Sequence, residues 1–172
     1  MVGIDKRVSS AGDARLDAFD ATLRALDPAL RVFVYRLVGR DVDDVLQDTY
    51  LAAYRALAGF RGESSMRTWL HSIAFRAALN HLRAGRRWSR WLERDVVFDE
   101  DVAGGVASRV DLMRALRGLS VDHRSVLVLV DGQGFSYDQA AIVLGVAAGT
   151  VASRLSRARE LVRADLQERN VH

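Results

Sequence analysis

The sequence predicts an all-α fold: two small helical domains joined by a flexible linker. Three observations carry this. Alanine, leucine and arginine are abundant and there is one proline, a composition that favours helix because these side chains lose little rotamer freedom there. Apolar residues recur at steps of three and four along most of the chain, while two-residue alternation is nowhere sustained. From Ala84 to Ser108 every helical stripe fades; the segment is first basic and aromatic, then acidic, then glycine-rich. The expected organisation is a flexible N-terminus over 1–14, a first domain over 15–88, a linker over 89–109 and a second domain over 110–172.

Composition narrows the function. The chain has 172 residues, 49% hydrophobic and 27% charged, a globular balance. No cysteine is present, which excludes disulfides, thiolate metal sites and thiol chemistry. The four histidines, His71, His81, His123 and His172, lack the spacing of a zinc protease. With no phosphate loop, metal cluster or nucleophile–base pair either, an enzyme is not expected, and neither is a cofactor. No N-terminal apolar segment predicts a signal peptide or membrane insertion, so the expected location is cytoplasmic. Net charge is +3 and the pI about 9.8; Lys6 is the one lysine. Arginine's planar fork suits phosphate, but genomic codon bias gives the same composition. Placement has to decide.

The elements follow in order. MVGIDKRVSSAG is small and polar and reads as frayed. Phe19, Leu23, Leu26, Leu30, Phe33, Val34 and Leu37 mark a helix, with a boundary or kink expected at Asp27 because Pro28 follows. Gly39–Asp41 is a turn. The acidic DVDD starts a helix from Val42 to about Leu57. Its outer face carries Asp44, Gln47, Asp48, Leu51 and Arg55, either a partner-docking patch or a solvated face with a stray leucine. GFRGESS is a loop, and Ser64 or Ser65 can cap a helix from Met66 to about Arg83. There Trp69, Ser72, Arg76, Asn80 and Arg83 line one arc. Two apolar stripes, Met66/Leu70/Ile73/Ala77 and Phe75/Leu79/Leu82, predict burial on two sides. The arc could track a nucleic-acid strand; Trp69 could equally be core.

In the second half, DLMRALRGL is a short helix and Ser120 caps VDHRSVLVLVDG, within which SVLVLV is the one candidate strand. Ser136 caps GFSYDQAAIVLGV and Gly145 stops it. Thr150 is expected to cap the last helix. On that helix Val151, Leu155, Ala158 and Val162 share one face. Ser153, Ser156, Arg157, Glu160 and Arg163 lie opposite, with Arg154 and Arg159 on the flanks. A helix entering the major groove needs small residues where its backbone nears the bases, and arginines to reach guanine edges or phosphates. Helix, glycine turn and basic helix make a helix-turn-helix.

GFSYDQAAIVLGV…GTVASRLSRAR resembles region 4 of bacterial extracytoplasmic-function (ECF) sigma factors of the sigma-70 family. DDVLQDTYL and FRGESSMRTWL resemble region 2 of the same family. The resemblance covers about Asp20 to Arg87 and Val110 to Arg163, in the family's order. It implies a transcription-initiation factor that binds core RNA polymerase, through the largest-subunit coiled coil and the flap, and promoter DNA. On it, Asp44, Gln47 and Asp48, with Leu51 and Arg55, would dock on polymerase. Phe60, Arg61, Ser65, Trp69, Arg76, Asn80 and Arg83 would hold an unstacked minus-ten base and its strand. Thr150, Ser153, Arg154, Ser156, Arg157 and Arg159 would meet the minus-thirty-five element. The resemblance also implies an anti-sigma factor and a stress or envelope-response regulon. This chain departs from the family at Ala152, where a base is common, at Ala147-Ala148, where the turn usually has proline, at Phe75-Arg76 and at Asn80. The acidic run Asp99–Asp101 reads either as a nucleic-acid mimic or as a solvated turn. The alternative function is a helix-turn-helix repressor or activator, which predicts a symmetric operator and tight DNA binding without polymerase.

Overall fold

The fold is seen in a computed structural model that describes the backbone of residues 5–89 and 115–170 and side chains within 14–85 and 115–168. The basic-aromatic run after Gly85 and the acidic run Asp99–Asp101 lie outside the described side chains.

Helix α1 is Asp5–Val38. It starts ten residues before the expected position: no proline interrupts 5–15, and each added residue contributes one more helical hydrogen bond. It also runs unbroken through Pro28, where a boundary or kink was expected. The hydrogen bond that proline removes would have ended on the carbonyl of Arg24, on a solvent-exposed stretch, where water can replace it. On either side of Pro28, Leu23, Leu30, Phe33 and Val34 are buried and hold both halves against the core.

A 3-10 turn, Gly39–Asp41, opens with Gly39 at φ 78°, a left-handed conformation that glycine adopts without steric cost. Helix α2 is Val42–Ala56; a second 3-10 turn, Leu57–Gly59, leads into the Phe60–Ser65 loop. Helix α3 is Met66–Ser89. Ser65 starts it: its Oγ accepts from the Thr68 amide at 3.1 Å. α1, α2 and α3 pack together around Leu30, Phe33, Val45, Leu46, Ala53, Leu70 and Ile73.

The second half opens with a helical turn at 115–118. Helix α4 is Val121–Leu127, capped by Ser120, and it continues as a π-helical turn, Val128–Gly132. The candidate strand SVLVLV is therefore helical. Ser125, Val126, Val128 and Leu129 are all buried, so its unbroken apolar character reflects a helix covered on most sides rather than a pleat. Helix α5 is Tyr137–Leu144. It begins with a reciprocal capping box between Ser136 and Gln139 and ends at Gly145, φ 66°. Helix α6 is Ala148–Asn170. The chain bends by 98° between α5 and α6, within the range of a helix-turn-helix. No single helix among the described residues is long and apolar enough to cross a membrane.

The two halves share one continuous core. α3 packs against α2 and α1 on one side and against α5 on the other, which explains its two apolar stripes. Thr68, His71, Ala74 and Ala78 are also buried and belong to neither stripe; His71 lies against Gln133 and Phe135, far away in sequence.

Candidate nucleic-acid and partner interfaces

Helix α2 sorts its carboxylates by face. Asp43 accepts from Arg31 at 2.6 Å, and on the turn before it Asp41 pairs with His81 at 2.9 Å. Asp20 and Asp27 of α1 accept the hydroxyls of Tyr54 and Tyr50. Burial and the Asp27 contact push the Tyr50 hydroxyl pKa well above its ordinary value. The Arg31, Tyr50 and Tyr54 contacts fix α2 on α1, and the Asp41–His81 pair ties the preceding turn to α3. Asp44 and Asp48 take no part in them; among the described residues neither has a hydrogen bond or ion pair. Gln47 and Arg55 are exposed beside them, and Leu51 is 47% exposed. The five residues thus form one unpaired, solvated face with an apolar centre, as the helical spacing predicts.

The Phe60–Ser65 loop and the start of α3 meet around Trp69. Its ring lies 4.9 Å from Phe60 and 6.3 Å from Phe19, half-buried. Trp69 is therefore a packing residue of the first domain, with its remaining edge open to solvent. Phe60 is also half-buried and Arg61 is exposed; Gly62, φ 74°, turns the chain back toward α3. The Ser65 hydroxyl is committed to Thr68, through the backbone amide and the Thr68 hydroxyl at 2.9 Å. Farther along α3, Arg76, Asn80 and Arg83 are exposed at helical spacing. Arg76 folds back on its own helix, donating to the Ser72 carbonyl at 3.1 Å and the Ser72 hydroxyl at 3.2 Å.

On α6, Val151, Leu155 and Ala158 are buried, while Ser153, Ser156, Arg157, Glu160 and Arg163 are exposed. The helix begins at Ala148, not after Thr150. The Ala147 carbonyl accepts from Thr150 and Val151, so Thr150 occupies the first turn and is not the cap; the small residues of GVAAG let the helix start close to the turn. The arginines are not equivalent. Arg154 pairs with Asp122 of α4 at 3.1 Å. Arg159 makes a two-pronged bond to Asp131, at 2.9 and 2.6 Å, which raises its pKa. Arg157 reaches only Glu160 on its own helix, at 3.0 Å. Among the described residues Arg163 has no partner. Asp122 and Asp131, which set this ranking, escaped the sequence reading; acidic residues flanking a buried helix carry no local signal of an arginine partner.

Comparison with known proteins agrees with this geometry. Residues 22–88 match sigma-70 region 2, and residues 109–162 match sigma-70 region 4. The ECF RNA polymerase sigma factor SigM of Mycobacterium tuberculosis is 40% identical over 119 residues, 69% of this chain; the match spans 61% of SigM. The ECF sigma factor SigC of the same species is 35% identical over 164 residues, covering 92% of this chain and 88% of SigC. Among solved structures, the sigma factor RpoE of Bartonella quintana, in complex with the anti-sigma factor NepR, superposes with a TM-score of 0.76 at 30% identity, covering 87% of this chain and 97% of RpoE. The chain belongs to the ECF group of sigma-70 family RNA polymerase sigma factors and carries that family's regions 2 and 4.

Proposed function

We propose that this chain joins core RNA polymerase in the cytoplasm and directs it to promoters, with the work divided between the two regions. The exposed face of α2 (Asp44, Gln47, Asp48, Leu51 and Arg55) docks on the coiled coil of the largest subunit. The observation that carries this is the sorting of carboxylates: Asp41 and Asp43 are spent on internal pairs, while Asp44 and Asp48 stand unpaired around an exposed leucine. A polar ring around an apolar centre is the make-up of a protein-binding patch.

Phe60, Arg61, Ser65 and Trp69 surround the entrance to a base pocket, and Arg76, Asn80 and Arg83 line the strand beside it. A flipped base loses its stacking in the duplex, and aromatic and phosphate contacts offset that loss. Ser153, Ser156 and Arg157 present small and basic side chains to the major groove of the minus-thirty-five element. Thr150, Arg154 and Arg159 sit nearer its backbone. The flap of polymerase holds region 4 in place. An anti-sigma factor restrains the chain until a stress or envelope signal releases it, as NepR is bound to the RpoE it resembles.

The test is assembly with core polymerase on a promoter carrying a fluorescent base analogue in the minus-ten element. Co-elution with core, and fluorescence that rises only when chain and core are both present, is the expected result. Binding to duplex DNA with no affinity for core would instead leave the repressor reading.

A further inference from the structure

Where α5 and α6 meet, a recess of about 300 Å³ opens beside Ser156. α5 supplies Tyr137 to it, and α6 supplies Ala152, Ser156, Arg159, Glu160 and Arg163. Tyr137 is the first residue of α5 and is 42% exposed. Ala152 is half-buried and Ser156 is exposed. These two stand one helical turn apart, so their β-carbons lie about 5–6 Å from each other. Whatever approaches α6 at Ser156 therefore also meets Ala152.

Most polar groups around Ala152 are engaged elsewhere. Arg159 is drawn to Asp131 by two bonds, at 2.9 and 2.6 Å. Glu160 accepts from Arg157 at 3.0 Å. The Ser153 hydroxyl donates to the Thr150 carbonyl at 3.1 Å. Arg163 has no partner among the described residues, but its backbone lies about 16 Å farther along the helix at 1.5 Å per residue. What remains beside Ala152 is its own methyl group, an aromatic ring and the Ser156 hydroxyl. A hydrogen-bonding group pressed against that methyl loses water and gains no partner. An apolar group gains the burial of its surface.

The major groove offers one apolar group, the C5-methyl of thymine; the other features that tell base pairs apart there are hydrogen-bond donors and acceptors. Alanine is among the side chains that suit this methyl. Thymine also carries an acceptor, O4, on the ring carbon next to it. Among the described residues the Ser156 hydroxyl has no partner, and it stands beside Ala152 where it can donate to that oxygen. A serine bonds donors and acceptors alike, so Ser156 alone discriminates little. The methyl contact supplies the discrimination. A phosphate in the recess would instead seek Arg163 and the Tyr137 hydroxyl, carry no sequence information and leave Ala152 without a role.

We propose that Ala152 selects thymine at one position of the minus-thirty-five element by touching its C5-methyl group, with the Tyr137 ring closing the recess and Ser156 donating to O4. The inference rests on the function proposed above. Deoxyuridine is the probe, because it keeps thymine's hydrogen-bonding edge and lacks the methyl. Each minus-thirty-five thymine of a promoter used by the chain with core polymerase is replaced in turn, and run-off initiation is measured in competition with the unmodified promoter. One position should lose about fourfold, the worth of one buried methyl group. A guanine–cytosine pair placed there should improve by a similar factor when its cytosine carries a 5-methyl group. Ala152→Gly should erase the deoxyuridine effect at that position, with helix content by circular dichroism intact. Indifference to deoxyuridine at every thymine in the wild-type scan overturns the proposal whether or not the variant folds. So does an undiminished effect in folded Ala152→Gly. Failure of the wild-type chain to initiate on any fragment refutes the proposed function instead; the same scan on the duplex that the chain binds then judges the methyl contact, and binding to no duplex overturns it.

Discussion

Gln133 and His71 meet across the two regions, Oε1 to Nε2 at 2.8 Å, while the other ring nitrogen of His71 lies 2.8 Å from the Arg67 carbonyl. Both nitrogens face oxygens, and a neutral ring carries one proton, so these contacts favour protonation. Burial between Phe33 and Phe135 opposes it and dominates: desolvation lowers the His71 pKa, the two contacts only partly restore it, and Arg67 lowers it further. A depressed histidine pKa stabilises the folded form above the ordinary imidazole value of about 6.5, and that contribution is lost as pH falls through the lowered pKa. NMR titration of His71 should give a value below the ordinary one in wild type and a still lower one in Gln133→Ala, which removes a contact that raises it. A wild-type value at or above the ordinary one contradicts the account.

Asp48→Arg should abolish binding to core polymerase without changing thermal stability. Asp48 is exposed and has no partner among the described residues, and exposed substitutions of that kind typically shift stability by about 0.5 kcal/mol or less. Co-elution with core and a thermal melt decide it. Unchanged polymerase affinity would remove α2 as the docking face.

Ser65 separates stability from DNA binding. Ser65→Ala removes the α3 cap and should destabilise the fold by about 0.5–2 kcal/mol. Ser65→Asp keeps a good cap and places a negative charge beside the strand. Denaturant melts should rank alanine below aspartate, while minus-ten strand affinity should rank aspartate below alanine. The same order in both assays would mean Ser65 acts on DNA through the fold alone.

The arginines of α6 should also separate. Arg157, tied only to Glu160 on its own helix, should lose roughly 1–3 kcal/mol of base discrimination as Arg157→Ala if it reads a base edge. Asp131→Ala frees Arg159 from its two bonds. It should strengthen binding to duplexes of any sequence and steepen the salt dependence by up to about one unit of slope for each phosphate gained. Filter binding across a salt series checks both.

What the sequence disclosed was local. The spacing of Val151, Leu155 and Ala158 marked a buried face that the fold retains, and Ser120, Ser136 and Gly145 marked helix ends where they stand. The exposed set on α2 followed from its period. Long-range relationships did not follow. Pro28 obeys a local rule that packing on either side overrides. SVLVLV has no period to distinguish a strand from a helix covered on most sides. His71 and Gln133 look like ordinary polar residues until regions far apart in sequence meet; neither stripe nor motif encodes that meeting.

The measurement closest to the central claim is run-off transcription by core RNA polymerase, with and without the purified chain, from a library of promoter-like fragments. The account predicts initiation that depends on the chain, from fragments sharing two elements, and its loss with Asp48→Arg. No initiation, together with tight binding to a palindromic duplex in the absence of polymerase, would contradict it.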